Sequence, residues 1–232
     1  MKEKKGLGEI GRREERREGR ERRRILMMMM VVMMVMGCNS GGVSGEGTGE
    51  EGKGRKGDGS VIDLKVVSKK IKDAVEFAEK VKEIHTLVKS VDELAKAIGK
   101  KIKDSAAELA VQADKNASIL AGAFNVVLHV NTKLAQLEKK EGISEELKAK
   151  VVSTTTASTA FLNKLKEKNA DLGKDGVTDD DAKKAIDRIG TKDGDKGVAE
   201  LIALNAAIDE LLRASNKIVL DAMAELVVKP TT

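Results

Sequence analysis

The chain has 232 residues, a formal charge of +5 and only three aromatic side chains, Phe77, Phe124 and Phe161. The positive excess lies wholly in residues 1–37, which hold 11 Lys and Arg against 6 Asp and Glu; from Cys38 onward the two signs balance at 32 each. Bulk charge therefore gives no argument for nucleic-acid binding, and the lack of aromatic platforms argues against base stacking. A single cysteine rules out an intrachain disulfide framework, and Pro230 as the sole proline leaves the chain free to form long helices.

Residues 1–24 are densely charged and end in Glu21-Arg22-Arg23-Arg24. An apolar run follows from Ile25 to Met36, with seven of the nine methionines. As a helix it would span roughly 18 Å, well short of the ~30 Å hydrocarbon core, so it suits the apolar stretch of a signal peptide better than a membrane anchor. It ends at Val35-Met36-Gly37-Cys38, which resembles a relaxed lipobox of bacterial lipoproteins. Val35 and Met36 depart from the commonest pattern, Leu and a small residue. The resemblance implies cleavage between Gly37 and Cys38, a diacylglyceryl group on the Cys38 thiol, and acylation (palmitate and related chains) of the new amino terminus. Several acyl chains hold a protein stably where one is marginal.

Residues 39–60 hold nine glycines and almost nothing apolar beyond Val43, which predicts a flexible tether with an r.m.s. span of ~25 Å. No GK[ST] follows the glycines, so a phosphate-binding loop is not indicated. Helical periodicity begins at Val61, with Leu64, Val67, Ile71, Ala74, Ala78 and Val81 at spacings of three and four. The stripe continues through Ile84, Val88, Val91, Leu94, Ile98 and Ile102, and a capping-box pair, Ser90 with Glu93, predicts a bend near Ser90. A second helix carries Ile119, Ala123, Val126, Val130, Leu134 and Leu137 and ends before Glu141-Gly142. A third starts at Ser144 with Glu145 and Glu146 in its first turn and carries Leu147, Val151, Phe161, Leu165 and Leu172; its β-branched centre, Ser153 to Thr159, is the weakest helical segment. A short helix is expected from Thr178, which has capping-box spacing to Asp181. The last stripe, Leu201, Leu204, Ile208, Leu211, Ser215 and Ile218, is broad enough for a bundle core. The fold expected is all-α: a bundle of about four long helices plus a short one over residues 61–229, with a tail at 230–232.

Neither histidine, His85 or His129, has a second ligand at i+4 spacing, so both read as incidental rather than metal-binding or catalytic. The acidic run of Asp171, Asp175, Asp179, Asp180 and Asp181 suggests a calcium loop only superficially. Gly173 falls at the third ligand position and Ala182 where a bidentate Glu is needed, so capping and solvation account for these carboxylates. Two lysine clusters, Lys100, Lys101 and Lys103, and Lys164, Lys166 and Lys168, are candidate glycan-binding sites or simply solvated faces. No nucleophile–base pair, fixed carboxylate pair or cofactor fingerprint emerges, so neither an enzyme nor a bound metal or cofactor is expected.

Three stretches carry a family resemblance: Val91 to Ile102 (VDELAKAIGKKI), Asn116 to Val126 (NASILAGAFNV) and Phe161 to Ile186 (FLNKLKEKNADLGKDGVTDDDAKKAI). They resemble the variable small proteins of relapsing-fever Borrelia, relatives of outer surface protein C, and the third is specific enough to carry the assignment almost alone. The glycine-rich tether and the Thr-rich third helix depart from that pattern. The resemblance implies a lipoprotein anchored on the outer membrane, a helical bundle with neighbouring termini at the membrane end, pairing as a homodimer, and antigenic variation under pressure from host antibodies. Residues 103–118, 139–144 and 173–198, the polar interruptions between stripes, are the expected variable surfaces. The alternative is an adhesin for host glycosaminoglycan or matrix acting through the lysine clusters; an inward-facing periplasmic scaffold is a third class.

Overall fold

The computed structural model describes residues 53–55, 61–104 and 108–226, all within one compact unit spanning residues 51–232. The leader, the Gly37–Cys38 junction, most of the tether and the tail lie outside the described residues.

Strand β1 (Lys53–Arg55) pairs antiparallel with β2 (Val61–Asp63), Lys53 opposite Asp63. Three residues of the segment expected as coil are therefore in a ladder. Asp63 then caps α1 (Leu64–Ala95), its carboxylate accepting from the backbone N–H groups of Lys65 and Val66 at 2.9 and 3.2 Å. At 32 residues α1 is about 48 Å long and runs unbroken through Ser90, where a bend was expected. The Ser90 hydroxyl donates back to the Leu87 carbonyl at 2.7 Å, within the helix, instead of capping a new one.

The helix also stops earlier than the apolar stripe suggested. Gly99 takes φ +69°, a left-handed conformation that ends helices, and buries Ile98 while turning the chain outward. Beyond it β3 (Lys100–Ile102) and β4 (Leu109–Val111) form an antiparallel hairpin, and Ile102 is 87% exposed where a core residue was expected.

Helix α2 (Ala117–Glu138) and α3 (Glu145–Glu167) form a hairpin, the latter capped by Ser144 Oγ accepting from Leu147 N–H. In α2 the fully buried positions are Leu120, Ala123, Val127, Val130, Leu134 and Leu137; Ile119 and Val126 only flank this stripe. The Thr-rich centre of α3 is helical because Thr154, Thr155 and Thr156 return their hydroxyls to the carbonyls of Lys150, Val151 and Val152 at 2.8–3.0 Å. A single turn, α4 (Asn169–Leu172), and the short α5 (Asp179–Ile186) lead to α6 (Val198–Ala224). Thr178 caps α5 as its spacing predicted, Oγ1 accepting from Asp181 N–H at 3.1 Å.

The four long helices close a ring in which α1 packs on α2 and α6, and α3 on α2 and α6. The core is aliphatic, with Phe77 and Phe161 its only fully buried rings. Helices α1 and α6 continue past the α2–α3 turn as a two-helix stalk, packed by Val67, Ile71 and Ala222 and joined outside by Lys70 and Glu225 at 3.1 Å. The far end is closed by the β3–β4 hairpin, α4 and α5. Among the described residues no helix is long and apolar enough to cross a membrane.

Helices α3 and α6 carry buried polar groups: Thr154 and Ser158 on the first, Asn205 and Ser215 on the second. The Ser158 hydroxyl is fully buried and finds no partner. Replacing Ser158 by Ala removes an unsatisfied donor and improves helix propensity, so urea unfolding should show a gain of about 1 kcal/mol. Phe161→Ala, one turn further along, should lose about 3–5 kcal/mol.

Candidate functional site

Three polar ties between segments distant in sequence lie at the far end of the bundle. Asn116 stands at the start of α2, where a side chain ordinarily caps its own helix, yet it makes no such bond. It is 1% exposed, and its amide is used between segments. Its Oδ1 accepts from Gly99 N–H at 2.8 Å, while Nδ2 donates to the Val177 carbonyl at 3.0 Å and to Asp179 Oδ1 at 2.8 Å. Asp114 and Asp179 reciprocate, each carboxylate accepting from the other's backbone N–H at 2.9–3.0 Å. Asp114 holds φ +57° to do so. The Asn116 amide, followed by the Asp114 N–H, holds the Asp179 carboxyl below the usual carboxylate range.

A second tie sits beside the start of α6. Lys196 is buried, and its ammonium contacts Asp171 and, at 3.3 Å, Asp181. The hydrogen bond to Asp171 raises the lysine and lowers the aspartate, each relative to its ordinary value. Gly197 takes φ +141° so that the chain can pass close to Leu165 and Phe161. A third tie pairs Arg188 with Asp92 of α1. Of the carboxylates that superficially suggested calcium, Asp171, Asp179 and Asp181 serve ammonium, amide and backbone N–H donors, and Asp180 pairs with Lys184 at 2.6 Å. Among the described residues no group of three or more His, Cys, Asp or Glu is placed to hold a metal.

The lysine candidates do not form one patch. Lys100 and Lys101 are exposed on β3, pointing to opposite faces of the hairpin, and make no ion pair among the described residues. Lys103 lies 3.9 Å from Glu108. Lys164 is paired with Glu167 and Glu200 at 3.2 and 3.8 Å, and the Glu167 bond raises it above the ordinary lysine range. Lys168 reaches Glu167 and Asp195, both at 3.8 Å, and Lys166 points elsewhere, 6.0 Å from the Phe124 ring centre. A groove of about 370 Å³ between α1 and α2 is lined by Lys80, Lys133 and Lys140, but these bond Glu76 and Glu83 at 2.9–3.2 Å. His85 Nε2 lies 3.0 Å from Asp209 Oδ1, joining α1 to α6, and His129 is exposed. Cys38 lies outside the described residues.

Sequence reasoning passed over Asn116, Lys196 and the Arg188–Asp92 pair. Gly99 offered a usable signal, a glycine just past a helical stripe. Nothing local marks Lys196, because its partners come from segments 15 and 25 residues away.

Chemically, these arrangements join the protein's own segments: an all-α bundle whose buried polar groups tie a compact far end. The lipoprotein family model matches residues 61–232. Variable small protein 11 of Borrelia hermsii is 44% identical over 193 residues, covering 82% of this chain and 89% of that one. Outer surface protein C of Borreliella burgdorferi is 40% identical over 164 residues, covering 71% and 75%. The solved structure of variable small protein 1 of Borrelia turicatae is 56% identical with a TM-score of 0.68, covering 71% of this chain and 99% of that one. The chain belongs to the family of Borrelia lipoproteins that comprises the variable small proteins and outer surface protein C.

Two outcomes test the far-end ties. A Cβ on Gly99 would sit 2.4 Å from Asp179 Oδ2 in a left-handed backbone; Gly99→Ala should cost at least about 1–2 kcal/mol, with faster hydrogen exchange confined to residues near 99, 116 and 179. Asp179 and Asp171 have depressed values in the folded state, so their stabilisation is complete above the ordinary aspartate range and drains away as pH falls through the lower folded values. NMR-detected exchange should therefore show the far end opening first in acid, and Asp179→Asn should flatten that response.

Proposed function

We propose that this chain is a surface-displayed antigen, exported, cut between Gly37 and Cys38, acylated on Cys38 and held on the outer membrane with its far end outward. The observation that carries this reading is the separation of roles along the bundle. The chain enters at the stalk, while two of the three expected variable segments, 103–118 and 173–198, lie together at the opposite end. The third, 139–144, is the α2–α3 turn near the stalk. Surface substitutions in such loops cost little stability so long as Asn116, Asp179 and Lys196 keep their partners, which suits repeated change under antibody selection. Family membership supports the same reading, since the relatives carry the names variable small protein and outer surface protein. Its mechanism is steric and serological, without a catalytic step, and pairing of two copies belongs to it.

Lys100 and Lys101, exposed and without a carboxylate partner among the described residues, favour glycosaminoglycan binding as a second reading. Lys164 and Lys168 add little to it, because their charges already face carboxylates.

Intact-mass analysis of membrane-extracted protein should give a species beginning at acylated Cys38, and Cys38→Ser should release the protein into the soluble fraction. Protease treatment of whole cells should remove it, and antibodies should map to 103–118 and 173–198. A mature chain starting elsewhere and unmodified would overturn the anchor, and survival of the protein on shaved cells would overturn outward display. Retention on heparin at physiological salt, abolished by substituting Lys100, Lys101 and Lys103, would establish the second reading.

A further inference from the structure

Charge is distributed unevenly along a chain that is neutral from Cys38 onward. Residues 53–73, which include strands β1 and β2 and the start of α1, hold seven basic side chains and three acidic ones. The segments closing the far end, 99–116 and 168–197, together hold eleven of each. Within the basic segment Lys65, Lys69 and Lys72 follow the spacing i, i+4, i+7 and so share one face of α1. That face is opposite the buried Val67, Ile71 and Ala74. All three lysines are exposed and make no ion pair among the described residues, whereas Lys70, turned toward α6, is held by Glu225. Leu64 and Val66, on either side of Lys65, are about half exposed.

This placement is electrostatically wrong for a helix considered alone. The N-terminus of a helix carries partial positive charge and favours acidic side chains, yet the first turn of α1 has none. Asp63 offsets some of this through its cap. A local conflict kept on an exposed face marks a place where an outside group supplies what the fold lacks. The missing group is a negative surface, and the half-exposed Leu64 and Val66 suit one with an apolar layer beneath it. Only fourteen residues lie between Cys38 and Lys53, a reach of about 50 Å at full extension, so any surface holding Cys38 is within range of this foot.

We propose that the foot of the bundle, formed by the first three turns of α1, docks on the anionic lipid headgroups of the membrane that carries the anchor. The inference rests on the lipid-anchor reading for its geometry, but the docking itself needs no lipid on Cys38. Phosphate groups facing Lys65, Lys69 and Lys72 complete the charge pattern, and docking sets the bundle at a fixed attitude to the membrane. Three lysines near an anionic surface together contribute on the order of 100-fold in partitioning, a gain that salt removes.

The test uses the chain from residue 38, as the lipidated protein and as its Cys38→Ser variant. Flotation of the Cys38→Ser chain with phosphatidylglycerol-containing vesicles should exceed that with pure phosphatidylcholine at least tenfold. The difference should disappear in high salt and in the triple variant Lys65→Glu, Lys69→Glu, Lys72→Glu, whose helical circular dichroism should be kept and whose melting temperature should not fall. With the lipidated protein on both vesicle types, amine labelling of Lys65, Lys69 and Lys72 should fall severalfold on the anionic vesicles only, while Lys100 and Lys101 label equally on both. Equal flotation on the two vesicle types, equal labelling of the foot, or retention on heparin without binding to phosphatidylglycerol would overturn the proposal. Failure of the anchor reading would be seen separately, as loss of the native protein from neutral vesicles while the Cys38→Ser arm still reports on the foot.

Discussion

One buried amide keeps the far end of this protein a single object. Asn116 has a donor and an acceptor to satisfy, and it directs both to segments distant in sequence: Gly99 behind it, Val177 and Asp179 ahead. Without it the β3–β4 hairpin would hang from Gly99 and the α4–α5 segment from Leu172, each with exposed backbone groups and little apolar surface to hold it. Polar groups that would be costly to bury alone become tolerable when each satisfies another. Lys196 with Asp171 and Asp181 extends the same solution around the rim; Arg188 with Asp92 does so only in part, since Asp92 Oδ1 and Arg188 Nε are buried without a hydrogen-bond partner.

The helical layers beneath this rim were largely legible in the sequence. Stripes at spacings of three and four located all four long helices, and Thr178 with Asp181 located the short α5. What failed was local. Ser90 and Glu93 have capping-box spacing, but Val88 and Val91 bury the same face on either side of Ser90, so tertiary packing keeps the helix intact. Ile102 continues the α1 stripe on paper, but the left-handed Gly99 intervenes and the residue faces outward. The threonines of α3 looked adverse because β-branching was counted without the hydroxyl's ability to bond back to the preceding turn. The polar ties were illegible for a different reason: each joins residues whose proximity exists only after the bundle has closed.

Charge tells a similar story of position outweighing total. Two lysine runs that stood out in the sequence are dispersed by the fold, since β3 sends Lys100 and Lys101 to opposite faces and acidic neighbours occupy Lys164 and Lys168. Meanwhile Lys65, Lys69 and Lys72 are unremarkable as a string and become a stripe only when wound on α1.

The β1–β2 ladder has a mechanical consequence. If Cys38 carries the anchor proposed above, load would reach Lys53, which pairs with Asp63, the residue adjoining α1, so tension would act where the β1 and β2 ends meet. Hydrogen bonds loaded in that direction break in succession rather than all at once. Opening the ladder and extending the ten steps from Lys53 to Asp63 would release about 30 Å of chain before α1 felt any force. On that reading the β1–β2 ladder would act as a yielding link, giving way under a tug at the surface while the bundle beyond it stays folded.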